Sequence, residues 1–75
     1  MDISAIGRRV RGERKRLGLR QDELASLCGL GTRFLSELEN GKPTLEIGRV
    51  LRVLDALGLE VHVRQRTPYA EDRDT

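Results

Sequence analysis

Two helix-length segments, Gln21 to Cys28 and Thr32 to Asn40, are separated only by the three residues Gly29-Leu30-Gly31. A link this short does not let the two helices lie antiparallel, so they must cross steeply. The side chains at the crossing suit it. Counting from Gln21, the small Ala25 stands where the helices touch. Gly29 supplies the turn conformation that a Cβ disfavours, and Leu24, Leu30, Leu35 and Leu38 supply the inner contacts. Everything else in the chain has to fold around this crossing, and with 75 residues it does so as one domain.

The core must be aliphatic, since the chain has one Tyr, one Phe and no Trp but twelve leucines. A single cysteine, Cys28, excludes an internal disulfide, and with His62 as the only histidine no ordinary Cys/His metal site can be assembled. The same scarcity leaves little from which to build a nucleophile and base pair of the Cys/His or Ser/His kind, and no glycine-rich phosphate loop is present. A binding module is therefore expected rather than an enzyme, with no catalytic residue, metal or cofactor. Cys28 reads as a small core hydrophobe. No apolar run approaches the ~20 residues of a membrane span, and no secretory segment opens the chain, so a soluble intracellular protein is expected.

Charge is unevenly placed. Arg8, Arg9, Arg11, Arg14, Lys15, Arg16 and Arg20 put half of the fourteen cations into thirteen residues, opposed there only by Glu13. Such a face suits nucleic acid or an anionic membrane surface, or is simply a solvated helix face. Residues 67–75 carry Glu71, Asp72 and Asp74 against Arg73 and read as a disordered acidic tail.

Hydrophobic spacing divides the rest into four helices and one strand. Ile3, Ile6, Val10 and Leu17 form an apolar stripe, and the first helix should stop at Gly18 with Leu19 folding back. The second, from Gln21, turns Leu24, Ala25, Leu27 and Cys28 inward and ends at Gly29. Thr32 suits an N-cap for the third, which buries Leu35 and Leu38 and ends near Asn40-Gly41. After Pro43, Thr44 can cap a fourth helix burying Ile47, Val50, Leu51, Leu54 and Leu57. Beyond Gly58 the period becomes two. Leu59, Val61 and Val63 alternate with Glu60, His62 and Arg64, a half-buried strand without a partner strand in this chain. His62, on its outer face, should be exposed or at an interface.

The steep crossing is the helix-turn-helix arrangement, whose second helix enters the major groove of DNA. With Leu35 and Leu38 inward, the third helix presents Thr32, Arg33, Phe34, Ser36 and Glu37 as candidate base readers, with Asn40 at its end. Arg33 can bond guanine O6 and N7, and Glu37 can accept from cytosine N4. Phe34 suits packing on the core as well as a thymine methyl. Glu37, if it faces phosphate, would instead penalise poor sites. On the helical wheel Arg14 and Glu39 flank the same interior and are expected to pair; otherwise Arg14 joins the phosphate-binding face.

Gln21 through Lys42 resembles the helix-turn-helix of the Xre family and the lambdoid phage repressors, and Glu39-Asn40-Gly41-Lys42 is similar to the run closing that family's recognition helix. The resemblance covers roughly residues 3 to 59. Gly41-Lys42-Pro43-Thr44, the run from Val50 to Leu59 and the terminal strand look most like HipB-type antitoxins. The chain departs from the family at Arg20, where Thr or Ser usually caps the second helix; that helix start should be weaker, or Asp22 must compensate in the first turn.

Several expectations follow from this resemblance. The fold is all-α, a compact four- to five-helix domain like that of lambda repressor, with a C-terminal β-strand that pairs across a dimer. Residues 1–59 bind DNA, 60–66 dimerise and 67–75 form the tail. Gln21 and Asn40 resemble the family's phosphate clamps, or act simply as caps, and Arg20 and Lys42 join them as phosphate-binding candidates. The Arg14–Glu39 pair resembles the bridge of the phage repressors. Partners are double-stranded DNA, a second copy joined through Leu59, Val61 and Val63, and a toxin, kinase-like if the HipB likeness is close. Alternatively, residues 60–66 stay disordered until the toxin supplies an edge, or the chain is a stand-alone regulator without a toxin. Either way the setting is the bacterial cytoplasm at the nucleoid.

Overall fold

The computed structural model describes residues 2–66, which form four helices: α1 (Ile3–Arg16), α2 (Gln21–Cys28), α3 (Thr32–Glu39) and α4 (Ile47–Ala56). The acidic tail inferred for 67–75 lies outside the described residues.

Each helix starts for a local reason. Asp2 caps α1, its Oδ1 accepting from the Ala5 N–H at 2.9 Å. At α2 the N-cap is Arg20, whose cationic side chain accepts nothing. Glu23 compensates by accepting the Arg20 backbone N–H at 2.8 Å, while Asp22, expected to do so, pairs with the Arg20 guanidinium at 3.2 Å. Two expected starts are displaced. Gly31 rather than Thr32 occupies the N-cap of α3, so Thr32 is its first helical residue. Glu46 rather than Thr44 precedes α4, because Leu45 first turns in to pack against the core.

All four helices end in the same way. The residue after the closing glycine donates its N–H five residues back: Leu19 to Arg14, Leu30 to Ala25, Lys42 to Glu37 and Leu59 to Leu54, at 2.8 to 3.1 Å. Gly18, Gly29, Gly41 and Gly58 take the positive φ, 68 to 79°, that this closure requires.

The core gathers Val10, Leu24, Ala25, Cys28, Leu35, Leu38, Val50, Val53, Leu54 and Leu57. It is narrower than the apolar spacing suggests. Leu17, Leu27, Ile47 and Leu51, expected inside, are 46%, 71%, 65% and 45% exposed. At about 100° per residue, α2 seats Leu24, Ala25 and Cys28 together and leaves Leu27 about 105° from the centre of that face. On α4 the buried face centres on Val50, Leu54 and Leu57, which brings in Val53 and leaves Leu51 at the flank.

No strand forms among the described residues, and 60–66 run on from α4 without a ladder partner. A single chain offers no second edge, so the strand expected there cannot form within one copy.

Candidate nucleic-acid interface

The position of α3 is fixed from two sides. Along α1, Gly7 is buried at the crossing, and a Cβ there would meet the carbonyl oxygens of Leu38 and Glu39. Gly41 makes a similarly close approach to Ser4. Only bare backbone lets α1 come this near the end of α3. On the other side Leu24 and Ala25 of α2 and Leu35 and Leu38 of α3 close the crossing, all 0 to 1% exposed.

A charged network locks the same junction. Arg14 donates from Nε to Glu39 Oε2 at 2.6 Å, from Nη2 to Oε1 at 2.9 Å, and from Nη1 to the Leu19 carbonyl at 2.8 Å. Gln21 adds a bond to Glu39 Oε1 at 3.1 Å. The Arg14 and Glu39 side chains are only 9% and 4% exposed. Burial alone would raise the Glu39 pKa, but the hydrogen bonds from Arg14 and Gln21 outweigh it and leave the carboxyl below its ordinary value. One arginine thereby ties α1, the turn before α2 and the end of α3 into one body.

With that scaffold set, α3 presents an outward face. Thr32, Arg33 and Asn40 are exposed, and Ser36 and Glu37 are half-buried beside them. Phe34 packs against the core, which favours its structural reading. Arg33 and Glu37 stand one turn apart, Nε to Oε2 at 3.4 Å, and Lys42 Nζ reaches the same oxygen at 3.1 Å.

The basic segment is smaller than its sequence suggests. Arg14 is turned inward, Arg16 is held by Glu13 at 2.6 Å, and Arg20 lies against Asp22 and Glu23. Arg8, Arg9, Arg11 and Lys15 remain exposed and unpaired among the described residues. Gln21, read as a phosphate clamp, spends one amide N–H on Glu39 and keeps its carbonyl and second N–H.

A model of the helix-turn-helix domain matches residues 5–66, most of the chain. The chain belongs to the helix-turn-helix domain family. A similar protein, from Sinorhizobium fredii (strain NBRC 101917 / NGR234), is described as an uncharacterized HTH-type transcriptional regulator, y4mF; it is 53% identical over 58 residues, which cover 77% of this chain and 76% of that protein.

Two supports of this helix-turn-helix domain escape a reading of the sequence. Arg52 of α4 donates to the Cys28 carbonyl at 3.2 Å, placing a cation on the C-terminal end of α2 where the helix dipole favours it. The bond links elements 24 residues apart, and local spacing carries no trace of it. Gly7 is the other. Its only signal was a glycine in mid-helix, where it costs about 0.5 to 1 kcal/mol relative to alanine and so demands a packing reason. Cys28 is buried, and desolvation raises its thiol pKa despite the nearby Arg52 charge, so it is no activated nucleophile.

Proposed function

We propose that this helix-turn-helix domain is a sequence-specific double-stranded DNA-binding transcriptional repressor. One observation carries the reading: the outer face of α3, with the Arg33 side chain 90% exposed, is displayed on a helix that two neighbours hold rigidly from behind. Arg33 reads guanine through a bidentate contact, Thr32 and Ser36 bond bases or phosphate, and Glu37 accepts from cytosine. Arg20, Gln21, Asn40 and Lys42 set the register on the backbone. Phe34, packed against the core, supports the helix rather than reading a base. The description of the S. fredii relative as a transcriptional regulator agrees with this reading.

The repressor acts as a homodimer on a palindromic operator. Support comes from the apolar side chains left outside the single-chain core: Val61 is 44% and Val63 91% exposed, Leu59 is half-buried, and Ile47 and Leu51 lie open on α4. Antiparallel pairing of residues 60–66 with the same segment of a second copy supplies the missing ladder and covers these residues. It also sets the two recognition helices about 34 Å apart, one turn of DNA. Selection of binding sites from random duplexes tests both parts. It should return a palindrome with half-sites at that spacing or a multiple of it. An absence of enriched sequence ends the repressor reading.

Resemblance of the C-terminal half to HipB-type antitoxins extends the proposal: the dimer represses its own operon and neutralises a kinase-like toxin encoded beside it. Co-expression with the adjacent open reading frame decides this, since a toxin should co-purify. If nothing is retained, the chain is a stand-alone or phage-type regulator.

A further inference from the structure

Three of the four helix ends are sealed by a leucine. Leu19, Leu30 and Leu59 follow the closing glycines of α1, α2 and α4 and pack against the core, the apolar contact that ordinarily accompanies this closure. The end of α3 differs. There Lys42 takes the leucine's place. Its N–H still closes on the Glu37 carbonyl at 3.0 Å, but its ammonium turns back to the Glu37 carboxylate at 3.1 Å. The same Oε2 lies 3.4 Å from Arg33 Nε. One carboxylate thus holds two cations, one a turn before it and one just past the helix end. The hydrogen bond from Lys42, opposed by partial burial and assisted by the charges of Lys42 and Arg33, keeps that carboxyl below its ordinary pKa and therefore ionised at neutral pH.

We infer that Glu37 is a charge latch that sets the ratio of specific to non-specific DNA binding. This inference rests on the DNA-binding reading above. A leucine closure excludes water and cannot be exchanged for anything DNA offers, whereas an ammonium on a carboxylate can be exchanged for an ammonium on a phosphate. Random DNA offers Lys42 that exchange, yet leaves the freed Glu37 carboxylate facing a polyanion without a donor. Only a site that gives Arg33 a guanine and Glu37 an amino group compensates both halves of the latch. The latch therefore costs little on the operator and acts against every other sequence.

The test compares operator and random duplexes of equal length by fluorescence anisotropy, across about 50 to 200 mM salt. Glu37→Gln is isosteric at a half-buried position, and a thermal melt verifies that it folds. Affinity for random duplex should rise about three- to fivefold, the scale of losing exposed ion pairs. Affinity for the operator should fall, since the charged acceptor for the cytosine amino group is lost, so the ratio drops. Glu37→Asp keeps the charge but shortens the arm, and it should also raise random binding, by less. With Lys42→Gln already in place, Glu37→Gln should lose most of its effect on random duplex. Unchanged random binding in Glu37→Gln, or an equal rise on both duplexes, overturns the latch. So does a Glu37→Asp variant indistinguishable from the parent, which would reduce the effect to net charge. A parent chain that prefers its operator while Glu37→Gln discriminates as well as it does removes this inference alone; a parent without DNA binding removes the proposed function and the latch with it.

Discussion

Gly7 and Gly12 sit five residues apart on α1 and face opposite fates on substitution. A methyl group at Gly7 falls on the carbonyls of Leu38 and Glu39, backbone that cannot move without moving α3, whereas at Gly12 nothing lies within 4 Å. Gly7→Ala should destabilise the domain by about 1 to 3 kcal/mol, an overpacking cost. Gly12→Ala should stabilise it by about 0.5 to 1 kcal/mol, because alanine is the better helix former at an open site. Urea denaturation of the two variants should shift the midpoint in opposite directions. If both shift the same way, the crossing is looser than described. The sequence shows two mid-helix glycines and gives no means of telling them apart. Arg33 belongs to this scale too. Its replacement by alanine should weaken operator binding by about 1 to 3 kcal/mol and relax preference at one base pair, and an unaltered consensus in a repeated selection would remove it from the readers.

Between elements, the Arg14–Glu39 pair decides how firmly α1 holds α3. Both side chains are shut away from water, so removing one strands the other: Arg14→Ala should cost about 3 to 5 kcal/mol, while replacing both by apolar residues of similar volume should cost far less. Comparing the single and double variants by thermal melting checks this. The carboxyl's lowered pKa also fixes the sign of a pH effect. A group more acidic in the folded state stabilises the fold above its ordinary pKa of 4.5 and loses that contribution as pH falls through the lowered folded value. The urea midpoint should therefore decline as pH drops below about 4.5, and Glu39→Gln should flatten that decline. Equal acid sensitivity in parent and variant would place the effect elsewhere. The wheel positions of Arg14 and Glu39 could be read from sequence because each flanks an apolar stripe. The contributions of Gln21 and the Leu19 carbonyl could not, since they depend on the approach of three separate segments.

At the scale of the whole molecule, the proposed dimer rests on the exposed valines and on segment 60–66, which has no ladder partner among the described residues. Truncation after Leu59 should leave the four helices folded, since every buried core residue among the described residues precedes it. Light scattering should then show the full chain as a dimer and the truncated chain as largely monomeric, with operator affinity falling accordingly. A full chain that stays monomeric at tens of micromolar, where weak symmetric contacts already populate, rejects the shared strand.

Local chemistry wrote most of the helical plan into the sequence. Closing glycines set where each helix stops, apolar periodicity set which segments are helical, and the short Gly29-Leu30-Gly31 link set the steep crossing. These features act within a few residues of themselves, so a sequence displays them. What tertiary structure alone decided is how wide each buried face is. Leu27, Ile47 and Leu51 have the spacing of core residues but no neighbour among the described residues to cover them, while Val53 and Gly7 are buried because other helices arrive there. It likewise decided which cations have no partner among the described residues, turning Arg14 inward while leaving Arg8, Arg9, Arg11 and Lys15 exposed. Burial and pairing are properties of two surfaces, and a periodic pattern describes only one of them.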